Sequence, residues 1–285
     1  SYDSFPSEAA VVDGRICYGF EAQEAARSGA PVVRSFKRVL AAPDVNPQTP
    51  VAIGDLSVPI LDLLVGYFTA LQEALAQQVT LGPAMIAVPA HAHSAQRFIT
   101  LEAFRRAGFT VAGMLNEPSA AGFEYTQRQP KTITSNRTRV VVYDFGGGTF
   151  DASLVDVSGL DHQVLSSVGI NRLGGDDFDT VLTQLALDEA GLDTDSIDVS
   201  DYFELLLEAR DAKERIAPQT KRIVLDVDGD PVTIEVDDFY TAAAHLVTAT
   251  LDAMGPLVGG LDADLTDVAG IYLVGGASGL PLVPR

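Results

Sequence analysis

Apolar and polar positions along the chain alternate between two rhythms. Residues 62–79 (LDLLVGYFTALQEALAQQ) repeat their apolar positions at helical spacing and predict one long helix. Ala84–Val88 is a short apolar run stopped by Pro89, the mark of a buried strand. Helical spacing returns over Ser94–Ala107, with Ser94 placed to cap the start and Gly108 to end it. Thr110–Leu115 reads as strand, and Glu117 with Pro118 opens another helix, since proline suits a first turn. Val140–Asp144 and Ala152–Val157 are β-branched strands on either side of a glycine run. Helices are predicted at about 176–190, 201–216 and 238–254. Between the last two, Arg222–Val227 and Val232–Val236 form a hairpin through Asp228-Gly229-Asp230. A final strand, Gly270–Val274, runs into Gly275-Gly276. The alternation predicts an α/β chain. The polar, proline-bearing stretch 127–138 (QRQPKTITSNRT) is placed as the boundary between two lobes.

Composition narrows the choice of partners. At 285 residues and 47% hydrophobic, the chain can bury one sizeable core or two lobes. No apolar run reaches the roughly 18 residues that span a bilayer, and no leader-like segment begins at Ser1. The single cysteine, Cys17, allows no internal disulfide and suits a reducing cytosol, so a cytoplasmic protein is expected. Nineteen Lys and Arg face 39 Asp and Glu, a net charge of −20. Such a surface repels nucleic acid and anionic membranes, and neither is expected as a partner. An anionic ligand would need local backbone N–H groups, a few cations and a metal ion to bind.

Residues 140–151, VVVYDFGGGTFD, meet that requirement. A buried strand delivers Asp144 to its end, Gly146, Gly147 and Gly148 make the turn, and a second strand leaves through Phe150. Without Cβ atoms the glycines let backbone N–H groups approach a ligand, and Thr149 adds a hydroxyl. Asp144 and Asp151 are hard oxygen ligands suited to a hydrated Mg²⁺. Strand–turn–strand is neither a Walker loop nor a dinucleotide fingerprint, both of which feed a helix. The plain alternative is a hairpin whose glycines serve geometry alone. His91 and His93 lie close together but lack further suitably spaced ligands, and His162 and His245 are isolated. No nucleophile elbow is present.

The stretch resembles the second phosphate-binding loop of DnaK-type (heat-shock-70 family) chaperones, within the actin/hexokinase/DnaK superfamily. Further blocks resemble that family in the right order: Ser35-Phe-Lys-Arg-Val-Leu40, Val88-Pro89 through Ala95-Gln96-Arg97, Asn116-Glu-Pro-Ser-Ala-Ala121, Leu173-Gly-Gly-Asp-Asp-Phe-Asp179 and Leu273-Val-Gly-Gly-Ala-Ser278. The resemblance implies an actin-like ATPase fold, two α/β lobes around a nucleotide cleft. Residues 1–131 would form the first lobe, with a small subdomain at 1–56. Residues 132–285 would form the second, with a small subdomain at 174–243. It implies ATP/ADP and Mg²⁺ as ligands, with Lys37, Glu117, Asp144 and Thr149 in the catalytic centre. Gly146, Gly147, Gly148 and Thr149 would hold phosphate oxygens. Gly174, Gly175 and Asp176 would reach the nucleotide, Lys213 the ribose or adenine, and Gly275, Gly276 and Ala277 the adenosine. Asp144 and Asp151 would hold the metal through water. Lys213 reads equally well as a plain surface lysine of an amphipathic helix. Pro89 and Arg97 resemble positions that couple nucleotide state to a substrate domain.

What the resemblance implies for the intact protein is a stress-response chaperone. It would bind unfolded polypeptide through a domain outside this chain, with a J-domain co-chaperone and a nucleotide exchange factor as partners. The sequence departs from the family where an Asp-Leu-Gly-Thr-Thr-like first phosphate loop is expected before Lys37. It also departs at Gly279, where an adenine-stacking arginine is common, and in the short segment between Lys37 and residue 62. Residues 279–285 resemble the start of a helix that should continue. A chain truncated at both ends, hydrolysing ATP weakly or not at all by itself, is the expectation. The alternatives are a hydrolysis-deficient nucleotide sensor or scaffold of the same fold, and a sugar kinase or filament-forming relative.

Overall fold

The computed structural model describes residues 5–158, 162–258 and 266–284. Contacts divide the chain into two compact units, Ser1–Ala120 and Ala121–Arg285.

The first unit starts with a hairpin, β1 (Glu8–Val12) and β2 (Arg15–Tyr18). Its two-residue loop is Asp13-Gly14, both at positive φ (49° and 73°), which matches the twist of the flanking strands. After α1 (Phe20–Arg27), β3 (Val32–Arg34) pairs with the other side of β1, giving a sheet of order β2-β1-β3. Then follow α2 (Phe36–Leu40), the hairpin β4 (Pro50–Ile53) and β5 (Leu56–Pro59), and α3 (Ile60–Ala76). The parallel pair β6 (Ala84–Val88) and β7 (Val111–Asn116) is joined by α4 (Ser94–Arg106). Helix α5 (Glu117–Arg128) follows at once. The predicted long helix is shifted about half a turn upstream, because Ile60 and Leu61 are themselves buried on its core face. That face, with Leu63, Leu64 and Tyr67, packs against Phe36, Leu40, Ile53, Ile99 and Ala103.

One capping expectation is corrected. The side chain that caps α4 is that of His93, whose Nδ1 accepts from the Gln96 N–H at 3.3 Å; Ser94 is already helical. The second ring nitrogen of His93 lies 3.1 Å from the Ala42 carbonyl, so the ring serves architecture.

In the second unit, β8 (Arg139–Phe145), β9 (Phe150–Asp156), β10 (Gln163–Ile170) and β13 (Val268–Val274) form a sheet of order β10-β9-β8-β13. Only the β13–β8 pairing is parallel. Helices α6 (Gly175–Ala190), α7 (Val199–Glu214) and α8 (Val236–Val258) and the hairpin β11 (Arg222–Val227)–β12 (Asp230–Glu235) complete it. The run Val140–Tyr143 is apolar throughout because β8 is buried on both faces. Val141, Tyr143 and Phe145 point into the core shared with the helices and the hairpin. Val140 and Val142 point the other way, toward Tyr125 of α5, whose hydroxyl donates to the Ala269 carbonyl at 3.2 Å. The hairpin loop is the pair Asp228-Gly229, at φ 56° and 85°; Asp230 already belongs to the strand.

His162, read as isolated, is buried and stacks on Phe123 with ring centroids 4.0 Å apart. At the other end, Gly276–Gly279 form a single 3-10 turn and residues 281–284 remain in turns, where the resemblance implied a helix. Pro284 disfavours the helical region for the residue before it. Arg285 lies outside the described residues.

Phe145 is fully buried between Phe150 and Phe178, with centroid distances of 5.7 Å to each. Phe145→Ala is expected to lower stability by about 3–5 kcal/mol, read as a lower urea midpoint at unchanged slope.

Candidate functional site

The sheet of the second unit delivers Asp144 to the end of β8. Phe145 and Phe150 are the last cross-strand pair, both fully buried, and they fix the base of the loop Gly146–Thr149. Gly146 N–H donates to the Thr149 carbonyl across that loop at 3.0 Å. Asp144 and Asp151 are register partners on β8 and β9, so the hairpin sets their two carboxylates on directly opposed residues. No described carbonyl takes the N–H of Gly147 or Thr149, which leaves those donors for a ligand.

Two more glycine turns close on this one. The N-terminus of α6 sits on the loop: Gly175 N–H donates to the Gly146 carbonyl (3.0 Å) and Asp176 N–H to the Gly147 carbonyl (2.7 Å). A Cβ on Gly174 would lie 2.4 Å from the Gly147 oxygen and 2.5 Å from the Gly148 nitrogen, so only glycine permits this approach. Since Gly174 has no side chain with which to cap α6, Asp177 reaches back and accepts from the Gly174 N–H at 2.7 Å. After β13, Gly275 takes φ 87°, and a Cβ there would meet the Phe145 carbonyl and the Asp144 carboxylate at 2.4 and 2.6 Å.

Beside these turns lies a cleft of about 390 Å³. Of the residues expected at the site, Gly147, Gly175, Asp176, Lys213, Gly276 and Ala277 line it. Asp144, Gly146, Gly148, Thr149, Asp151, Gly174 and Gly275 form the strand ends and turns just described. Leu280, Ile216 and Ala277 contribute an apolar wall, while Arg210 and Glu214, paired at 3.2 Å, contribute a charged one.

Lys213 is not a surface lysine. It is 9% exposed, its ammonium donates to the Gly175 carbonyl at 2.8 Å, and it lies 2.5 Å from the Asp179 carboxylate. Asp179 escaped the sequence reading, although it stands one helical turn after Gly175, on the same face of α6. Burial pushes its carboxyl up to about 6; the Lys213 charge and hydrogen bond oppose this, Asp176 adds to it, and Arg210 opposes it weakly.

In the first unit, Lys37 and Glu117 meet although 80 residues separate them: Lys37 Nζ donates to Glu117 Oε1 at 2.7 Å. Lys37 is half exposed on α2, and Glu117 is the first residue of α5. Asn116, just before it, accepts from Arg97 at 2.9 Å, and Arg97 also donates to the carbonyls of Pro89, Ala90 and Ala92. One arginine thus ties the loop after β6 to the end of β7.

Among the described residues, no three His, Cys, Asp or Glu side chains converge as a metal cage. Asp144 and Asp151, hard oxygen ligands on opposed residues, suit an ion that keeps most of its water, as Mg²⁺ does.

A family model described as "Hsp70 protein" matches residues 61–285. The chain belongs to the Hsp70 family. Its fold is therefore the actin/hexokinase-like ATPase fold of that family. Similar proteins include those named chaperone protein HscA homolog in Herminiimonas arsenicoxydans and Aromatoleum aromaticum, each 36% identical over 207 residues, 71% of this chain and 32% of the relative. The protein of that name from Burkholderia mallei is 36% identical over 204 residues, 70% of this chain and 32% of its own length. The chain spans about a third of the length of the curated relatives it matches. Because the family match starts at residue 61, Lys37 stands on its own sequence block and its contact with Glu117. Among the described residues of this Hsp70-family chain, no helix is long and apolar enough to cross a membrane.

Two outcomes follow from this geometry. Gly174→Ala forces a Cβ onto backbone and is expected to cost about 1–3 kcal/mol, whereas Gly276→Ala, with nothing within 4 Å of its Cβ, should melt with the wild type. Equal melting temperatures for the two variants would contradict the close approach. Asp179 has a raised carboxyl in the folded chain, so it binds protons more tightly folded than unfolded between about 6 and the ordinary carboxylate range. Wild type should therefore gain stability relative to Asp179→Asn as pH falls from 7 to 4.5, measured by urea unfolding at both pH values.

Proposed function

We propose that the chain is the nucleotide-binding part of a chaperone ATPase, and that the intact protein binds Mg·ATP, hydrolyses it, and uses nucleotide state to control polypeptide binding. The observation that carries this reading is the convergence of three glycine turns beside Asp144 on a cleft that contains a buried lysine.

Each residue's part follows from its chemistry. The donors of Gly147, Gly148 and Thr149 suit phosphate oxygens, a role glycine-rich turns perform by exposing successive N–H groups. Asp144 and Asp151 would hold the hydrated Mg²⁺, which supplies charge neutralisation at the phosphates when bound. Lys37, half exposed and oriented by Glu117, would stabilise negative charge that develops on the transferred group, and Glu117 would orient the attacking water. The apolar wall of Ile216, Ala277 and Leu280 suits the flat face of a base, while Lys213 and the charged wall suit its sugar. In this reading the two compact units are the two lobes of the ATPase. Arg97, holding the loop at Pro89 to Asn116, would link the catalytic glutamate to a substrate domain.

Unfolded polypeptide would be bound by a domain beyond this chain. A J-domain co-chaperone and a nucleotide exchange factor would be its regulators, in a cytoplasmic setting. The names of the relatives, all chaperones, support this assignment.

The test is Thr149→Ala in the full-length protein at saturating Mg·ATP. Turnover should fall about ten-fold or more, since one donor to developing charge is lost, with folding unchanged by circular dichroism. Unchanged turnover would sink the assignment. Chelating Mg²⁺ with EDTA should abolish hydrolysis in the same assay.

A further inference from the structure

We propose that Asp179 is a positioning residue of the nucleotide cleft: it holds the Lys213 ammonium so that Lys213 locks the Gly175 peptide and presents its remaining N–H to a nucleotide oxygen. The proposal rests on the nucleotide reading above and assigns a part to Asp179, which lines the cleft beside Lys213.

A lysine ammonium has three N–H donors and no acceptor. In Lys213 one donates to the Gly175 carbonyl at 2.8 Å, and the ammonium is ion-paired at 2.5 Å with Asp179 Oδ1, which accepts no hydrogen bond of regular geometry. No other acceptor takes a Lys213 N–H among the described residues, and Lys213 lines the cleft. A nine-tenths-buried ammonium with a donor to spare, on the wall of a cleft, is arranged for a ligand atom.

The Gly175 carbonyl belongs to the peptide between Gly175 and Asp176, and both of those residues donate their N–H groups to the loop carbonyls of Gly146 and Gly147. Lys213 Nζ lies 3.3 Å from where a Gly175 Cβ would be, and that same point is 3.5 Å from Gly147 Cα. Asp179, Lys213, Gly175 and the glycine loop are thus successive links of one polar chain from the interior of α6 to the cleft. If Asp179 were absent, a long flexible side chain would have its geometry fixed by one carbonyl alone, and its rotamer entropy would favour release.

Affinity of the full 285-residue chain for a fluorescent ADP analogue is the first readout. Asp179→Ala should weaken binding about ten-fold. Asp179→Asn, which keeps an oxygen acceptor of the same size, should lose less. Lys213→Met should weaken binding by itself, and adding Asp179→Ala to it should cause no further loss. Independent, multiplicative losses in the double variant would overturn the proposal, because Asp179 would not be acting through Lys213. The second readout needs no ligand: an amine-reactive reagent, followed by mass spectrometry, should label Lys213 at least ten-fold faster in Asp179→Ala than in wild type. An unchanged labelling rate overturns the clamp. Should circular dichroism show Asp179→Ala unfolded, Asp179→Asn carries both measurements with the same signs. Absence of ADP binding by wild type would refute the nucleotide reading and the ligand half of this proposal, while labelling still decides whether Asp179 holds Lys213.

Discussion

At Gly174 two stretches of backbone approach more closely than any side chain would allow, and most of the candidate site depends on that approach. A methyl group there would stand 2.4 Å from the Gly147 oxygen. With hydrogen in its place, α6 can start directly on the loop between β8 and β9, and its first two N–H groups can take the carbonyls of that loop. Gly175 and Asp176, and Lys213 through the Gly175 carbonyl, take their positions from this docking. It is held from below by Phe145, Phe150 and Phe178, which pack edge to face. An apolar cluster thus sets the spacing of a polar site, and the polar site needs few side chains of its own.

How much of this the sequence showed varied with how local the governing physics was. Many helices and strands were legible because each has a clean period and a punctuating residue, as at Ala84–Val88 with Pro89 in the first unit or at Asp228-Gly229 in the second. β10 was not, since its eight residues show no regular inside–outside alternation and one bulge interrupts its register. The early hairpins of the first unit were overlooked despite a usable signal. Asp13-Gly14 is the same positive-φ pair as Asp228-Gly229 and makes the same two-residue turn. The glycine loop, the α6 start and the turn after β13 were readable as motifs. Their convergence was implied only by resemblance, because the pairing that brings Gly275 to Asp144 is remote in sequence. His93 as a helix cap and Asp179 as a partner for Lys213 were unreadable from spacing alone; each depends on which side chain happens to be buried beside it.

The electrostatic setting is equally particular. A chain of net charge −20 has little general attraction for an anion. The second unit answers with backbone dipoles and one buried ammonium rather than a cluster of basic side chains. Lys213 is itself neutralised by Asp179, and Arg210 by Glu214. The cleft therefore presents donors with direction and little surplus charge. Such a surface discriminates by the placement of oxygens on a ligand and much less by total ligand charge.

The one parallel pairing in the second unit's sheet also bears on how the site comes into being. β8 and β9 are joined by a four-residue loop and can zip together as a local hairpin, carrying Asp144, the three glycines and Asp151 with them. β13 must return from residue 268 to lie beside residue 139, so its pairing closes a loop that contains three helices and a second hairpin. Loop-closure entropy makes such contacts slow and late. Half of the candidate site is thus available early in folding, while Gly275, which closes it over Asp144, arrives only when the whole unit has assembled. Occupancy of this site would then report completed folding of the unit, and a ligand that binds only the finished form would favour the last strand's arrival.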